Sequence, residues 1–198
     1  MDVFEAIQTT RAMRRLDSSR PVSDADLRKV LEAATMAPSG GNSQPVRWIV
    51  VVDPQVRRQL GSIYRRCAAA LLAGDEDSPL TRSSWHLVDH LAEAPTLLIA
   101  CTEGEARRPA SVFPAVQNAL LAARALGLGT TLTTSHLQDE PAVRRVLGIP
   151  DSVQTYCIIP IGYPTGRWAK AERRPVEEVT YRDRWGEPFV PVQTDIVR

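Results

Sequence analysis

Residues 9–51 read TTRAMRRLDSSRPVSDADLRKVLEAATMAPSGGNSQPVRWIVV, and this run passes from helix through loop to strand. Ser23, followed by Asp24 and Asp26, is a helix start. Its hydroxyl accepts from an early free amide, and the acids sit at the positive end of the helix dipole. Leu27, Val30, Leu31 and Ala34 recur at helical spacing and give that helix one apolar face. Pro38-Ser39-Gly40-Gly41-Asn42-Ser43-Gln44-Pro45 is a loop by composition. Trp48–Val52 is a short apolar run stopped by Asp53-Pro54, the pattern of a buried strand.

The flanking sequence repeats these signals in irregular order. Asp2–Thr9 is a short helix with Val3, Phe4 and Ile7 at helical spacing, and 56–72 and 85–92 are also helical. Pro95–Cys101 and Thr155–Ile161 read as two more buried strands, and Thr130–Thr134 is strand-like. Val112–Leu126 is apolar nearly all round, so it belongs in the core. Glu140–Leu147 is a short helix ended by Gly148. Gly74–Pro79 and 103–110 are polar loops. One or two helices separate successive strands, so the pattern is α+β, a sandwich rather than clean βαβ alternation. No G-x-G-x-x-G follows a strand, which leaves a Rossmann reading without support. Residues 165–198 carry Arg, Glu, Pro and Trp without periodicity. Trp168, Trp185, Phe189 and Val190 there need another surface to cover them.

The composition sets limits. At 198 residues, with 43% hydrophobic and 24% charged, the chain has the makeup of a single soluble domain. A chain of this size buries about 70% of its unfolded surface and needs no metal or disulfide staple. Lys plus Arg number 24 against 23 Asp plus Glu, a net charge of +1. That argues against a nucleic-acid module, although it cannot see a local basic pocket. Cys67, Cys101 and Cys157 are too scattered for a disulfide framework or a zinc site, and the last two lie in apolar runs as core thiols. No run reaches 18 apolar residues and the N-terminal segment lacks a signal-peptide core. A cytoplasmic protein without a membrane segment is the expectation.

Four segments carry candidate chemistry. Arg11, Arg14 and Arg15 fall within five residues, either as a solvated face or as an anion site built from planar donor forks. Ser39, Asn42 and Gln44 stand among glycines, where backbone can approach a flat ligand and amides can serve a heterocycle edge. Thr130–Ser135 places five hydroxyls in six residues, to pair a ring edge or simply to form a strand. Arg173-Arg174 is a second basic pair. No general acid is assigned, because lone histidines such as His86, His90 and His136 are more often structural. Tyr64 and Trp85 either stack on a flat acceptor or pack helices.

Together the 9–51 stretch, AVQNALLAARALGLGTTLTT (115–134), IIPIGYPTG (158–166) and AERRPVEEV (171–179) resemble the flavin-dependent nitroreductase family, in family order and over nearly the whole chain. The APSGG loop, the AVQN helix and the GLGTTLTT strand are most similar to the branch of iodotyrosine deiodinase and the synthase of the cobalamin lower ligand. The resemblance implies an α+β fold, a three-layer α-β-α sandwich with a mixed, mainly antiparallel sheet and an extended C-terminal arm. It implies a single domain with a lid at 60–90 and a dimer-embracing arm at 165–198. It implies a homodimer with FMN at each subunit interface, NAD(P)H as reductant, a small-molecule acceptor and no nucleic-acid or membrane partner. The segment Thr10, Arg11, Ala12, Met13 and Arg14 is then expected at the FMN phosphate and ribityl chain, with Arg173 and Arg174 returning to the phosphate. Ser39, Gly40 and Asn42 are expected to reach the flavin of the other subunit. Leu132, Thr133 and Thr134 are expected along the isoalloxazine, the two threonines supporting chemistry at flavin N5.

Three departures qualify the likeness. The family's Arg-Arg-Ser is here Thr10-Arg11-Ala12, a Trp common after Gln-Pro is here Val46, and 62–90 has no equivalent of the deiodinase grip on an amino-acid zwitterion. The expected activity is a nitroreductase-like transfer from NAD(P)H to a nitroaromatic or quinone. Its rivals are a flavin enzyme with a dedicated substrate (dehalogenase, dehydrogenase or flavin-fragmentation type) and a non-catalytic FMN-storage protein.

Overall fold

The computed structural model describes residues 1–72, 78–104 and 108–189. The acidic run Asp75-Glu76-Asp77, part of the 103–110 loop and Val190 lie outside the described residues. Among the described residues six helices and four strands follow in order: α1 Val3–Thr9, α2 Asp24–Thr35, β1 Val46–Val51, α3 Pro54–Leu72, α4 Pro79–His90, β2 Thr96–Glu103, α5 Pro109–Ala125, β3 Gly129–Thr130, α6 Glu140–Leu147 and β4 Val153–Gly162.

The strands form one sheet in the order β1-β2-β4-β3, each neighbouring pair antiparallel. A parallel bridge from Ala12 to Thr130 supplies its mixed character. β2 explains the three layers. Leu97, Ile99 and Cys101 point into a cluster with Leu60 and Tyr64 of α3, Leu87 of α4 and Val143 of α6. Leu98 and Ala100 point the other way, against Val30 of α2 and Val112, Val116 and Ala123 of α5. A strand buried on both faces loses the usual polar alternation, which is why it reads as a continuous apolar run.

The helix ends follow their sequence signals. Ser23 Oγ accepts from Asp26 N at 3.1 Å. α5 starts on Pro109 and ends where Gly127 turns at φ 76°. α4 begins earlier than the 85–92 reading, because Ser78 caps it at Thr81 N and Pro79 opens its first turn.

The Thr130–Thr134 strand is only partly formed. One register pairs Thr130 with Ile161 and Thr133 with Ile158, and so sets Pro160 opposite Thr131. Proline has no N–H to give the ladder. The ladder breaks there, resumes as a single bridge at Thr133, and passes into a 3-10 turn at Ser135–Asp139.

The α1 helix forms as read, but its apolar residues point outward. Val3, Phe4 and Ile7 are more than half exposed, and only Ala6 is buried. Beyond β4 the described residues form a 3-10 turn at Val176–Glu178 and bridges from Pro164 to Leu16 and from Tyr181 to Pro188. Trp168 finds cover in its own chain, under the Arg124 guanidinium, whereas Trp185 is 90% exposed.

Candidate functional site

The segment after α1 runs beside β3 as an extra edge. Met13 N donates to Thr130 O at 2.8 Å, Thr165 N to Arg15 O at 3.1 Å and Asp17 N to Tyr163 O at 2.8 Å. The approach is close: a Cβ on Gly129 would lie 2.8 Å from Met13 Cβ. Met13 is buried and Ala12 contributes only backbone, so neither presents a polar side chain. Thr10 donates its hydroxyl back to Ala6 O at 2.6 Å, closing α1. That proton is committed to the helix.

Arg11 and Arg14 remain available. Arg11 is exposed and Arg14 half-buried. No carboxylate among the described residues pairs with either. Burial depresses the Arg14 pKa, the Tyr64 hydroxyl opposes that shift, and the like charge of Arg11 adds to it. Two neighbouring guanidinium groups without an acid are an anion site in waiting.

Arg14 forms one wall of a cavity of about 280 Å³ lined also by Tyr64, Leu71, Leu72, Ser84, Thr131, Leu132, Thr133 and Ser135. Thr133 is held rigidly: its N–H and C=O both bond Ile158, and its hydroxyl donates to Tyr64 Oη at 3.0 Å. Its side chain is therefore engaged by α3, where the sequence had pointed it at a ring. Leu132 and Thr134 are exposed. Thr131 is 4% exposed, and its Oγ1 has no hydrogen-bond partner. An unsatisfied buried hydroxyl is costly unless a ligand or water completes it. Thr131 is one of the five hydroxyls read in Thr130–Ser135, but nothing local in the sequence singles it out as the buried, unpartnered one. Tyr64 is 4% exposed and packs in the core, so it does not offer a stacking face.

The other segments divide. Ala171 N donates to Gln8 O at 3.1 Å, which brings the chain carrying Arg173 and Arg174 beside the end of α1 and so toward Arg11. Both arginines are exposed. The 38–45 loop lies elsewhere. Asn42 and Gln44 take left-handed backbone at φ 53° and 45°, and Ser39 Oγ accepts from Gln44 N at 2.9 Å. Gly40 and Gly41 have open space where a Cβ would stand. This loop feeds β1, on the opposite sheet edge from β3, three inter-strand steps or about 14 Å away. It also sits at the opposite end, since Val46 pairs with Thr102 whereas β3 lies alongside the end where Ile161 pairs with Thr96. One chain thus sets Thr10–Arg14 beside the strand edge that leads to 131–134, turns the 171–174 stretch toward the end of α1, and leaves Ser39, Gly40 and Asn42 at the diagonal corner.

Beside the cavity, Arg15 Nη1 stands 3.2 Å from His86 Nδ1. A guanidinium only donates, so this nitrogen accepts and the ring is neutral. Burial, then Arg15, then His90 push the His86 pKa down. Among the described residues no His/Cys/Asp/Glu group is arranged to hold a metal, and no helix is long and apolar enough to cross a membrane.

The family model described as the nitroreductase family matches residues 7–163. The chain belongs to the nitroreductase family. It is 30% identical to the NADH dehydrogenase of Thermus thermophilus over 90% of this chain and 95% of that one. It is 29% identical to the iodotyrosine deiodinase of Thermotoga neapolitana over 88% and 95% of the two chains. Among solved structures it is similar to an oxidized iodotyrosine deiodinase bound to FMN and 3-iodo-L-tyrosine, with TM-score 0.77, 27% identity, and coverage of 92% of this chain and 99% of that one. The α-β-α sandwich is thus the nitroreductase fold.

Proposed function

We propose that this nitroreductase-family chain is an FMN-dependent oxidoreductase, a homodimer that passes reducing equivalents from NAD(P)H to a small planar acceptor such as a quinone or nitroaromatic. The observation that carries the reading is the cavity that half-buried Arg14 and the unpartnered Thr131 hydroxyl share, with the exposed Arg11 within electrostatic reach of Arg14. Cations without acids suit a phosphate, and a buried orphan hydroxyl suits the polar edge of a ring.

FMN, when bound, supplies the hydride-accepting and hydride-donating centre. The chain does the rest. Arg11, with Arg173 and Arg174, offers guanidinium forks to the phosphate dianion. Arg14 keeps a fixed positive charge on the cavity wall, where developing negative charge is stabilised without solvent reorganisation. Thr131 offers one hydroxyl, Thr133 stays braced on Tyr64, and Leu71, Leu72 and Leu132 give the cavity an apolar wall. The Ser39, Gly40 and Asn42 loop serves the second subunit's site, because its corner is diagonal to its own chain's cavity. Within 60–90, core residues such as Leu60, Tyr64 and Leu87 anchor α3 and α4, so any lid movement is confined to the segment that joins these helices, and 165–198 acts as the arm of a single-domain subunit.

The test is steady-state oxidation of NADH and NADPH with quinone, nitroaromatic and halophenol acceptors. Acceptor-dependent consumption with parallel double-reciprocal lines is expected. Absence of consumption with every acceptor contradicts the reading.

A further inference from the structure

Arg124, in the last turn of α5, is 8% exposed, and no carboxylate among the described residues pairs with it. Its Nε donates to Thr9 Oγ1 at 2.8 Å, and its guanidinium carbon lies 4.2 Å from the Trp168 ring centroid. Thr9 is itself fixed, since its hydroxyl donates to Glu5 O at 2.7 Å and so meets Arg124 as an acceptor. These two contacts fall on two segments far apart in sequence. Thr9 ends α1 and is two residues before Arg11. Trp168 opens the stretch that bonds Gln8 through Ala171 and continues to Arg173 and Arg174.

We infer that Arg124 is a positioning residue of the phosphate site, clamping together the two segments that carry Arg11 and Arg173–Arg174. The inference rests on the FMN reading above. A cation at a helix C-terminus is favourable on its own account, through the helix dipole. That does not account for the choice of partners. A solvated arginine would satisfy the dipole equally, whereas this one is buried between the ends of the two basic segments. A planar guanidinium can donate at its edge and stack by its face in one pose, and lysine cannot.

The measurement is the ratio of riboflavin to FMN dissociation constants, read by flavin fluorescence quenching, because the two ligands differ only in the phosphate. Wild type is expected to prefer FMN. Arg124→Met and Thr9→Val are each expected to lose about tenfold in FMN affinity, with riboflavin affinity, oligomeric state and Tm close to wild type. Arg124→Lys is expected to resemble Arg124→Met, because retained charge does not restore the clamp. Wild-type ratios in both Arg124→Met and Thr9→Val overturn the clamp, and so does equal loss of both ligands. A loss in Arg124→Met with none in Thr9→Val assigns the effect to charge alone and also overturns it. A wild-type protein that binds neither flavin contradicts the FMN reading itself, an outcome distinct from these.

Discussion

Arg14 stands where the core meets the cavity, half-buried beside Tyr64 and within electrostatic reach of Arg11. Arg11 and Arg14 are unequal in kind, since one is exposed and the other lines the cavity. Arg11→Ala is expected to weaken FMN binding roughly ten- to hundredfold, the loss of a charge-assisted hydrogen bond, while leaving riboflavin binding nearly unchanged. Isothermal titration with both ligands checks this, and equal losses would misplace the phosphate. His86 gives a pH signature. Its folded pKa lies below the unfolded value, so the unfolded chain takes up the proton first as pH falls. The stability from neutral His86 is complete above the unfolded pKa and is lost as pH drops toward the folded one. Tm is expected to fall between pH 7.5 and about 5.5 more steeply in wild type than in His86→Gln; equal slopes would remove His86 from the account. Cys101 and Cys157 are pushed up to about 12 by burial, and stay as inert thiols at neutral pH.

At the scale of elements, the approach of the 11–16 segment to β3 sets the site. Gly129→Ala would press a Cβ into Met13, so the folded protein is expected to hold FMN more weakly with the sheet intact. Unchanged FMN affinity, measured beside an unchanged far-UV spectrum, would contradict that dependence. Much of this was readable in sequence. Ser23 and the spacing of Leu27, Val30 and Ala34 fixed α2, and the apolar runs located β1, β2 and β4 within two residues or so at each end. Three features were not. The start of α4 was hidden because Ser78-Pro79 serves equally as a loop end and a helix cap. The gap at Thr131 depends on register, which places Pro160 across from it only once β3 and β4 pair. The Thr133–Tyr64 bond joins residues 69 apart, and no local pattern encodes it. The motifs pointed to a threonine-rich segment, and the fold selects which of its hydroxyls stays unpartnered.

For the whole molecule, the decisive feature is apolar surface that one chain leaves open. Phe4 is 71% exposed and Trp185 90%, on α1 and on the C-terminal stretch, the two segments that flank the basic corner. Patches of this kind mark interfaces. On the proposed two-chain site, the 39–42 loop at the diagonal corner meets the flavin of the second copy. Phe4→Glu is therefore expected to shift sedimentation toward monomer and to lose FMN in the same step, whereas a monomer that retains FMN would contradict the two-chain site. The most direct test of the central claim is anaerobic titration of the FMN-loaded dimer with NADH and NADPH, followed in the visible flavin band. The expected result is bleaching by at least one nicotinamide at one equivalent per site, with colour restored by a quinone. A flavin band that persists under excess of both nicotinamides would contradict an NAD(P)H-dependent oxidoreductase and leave a protein that binds FMN without turning it over.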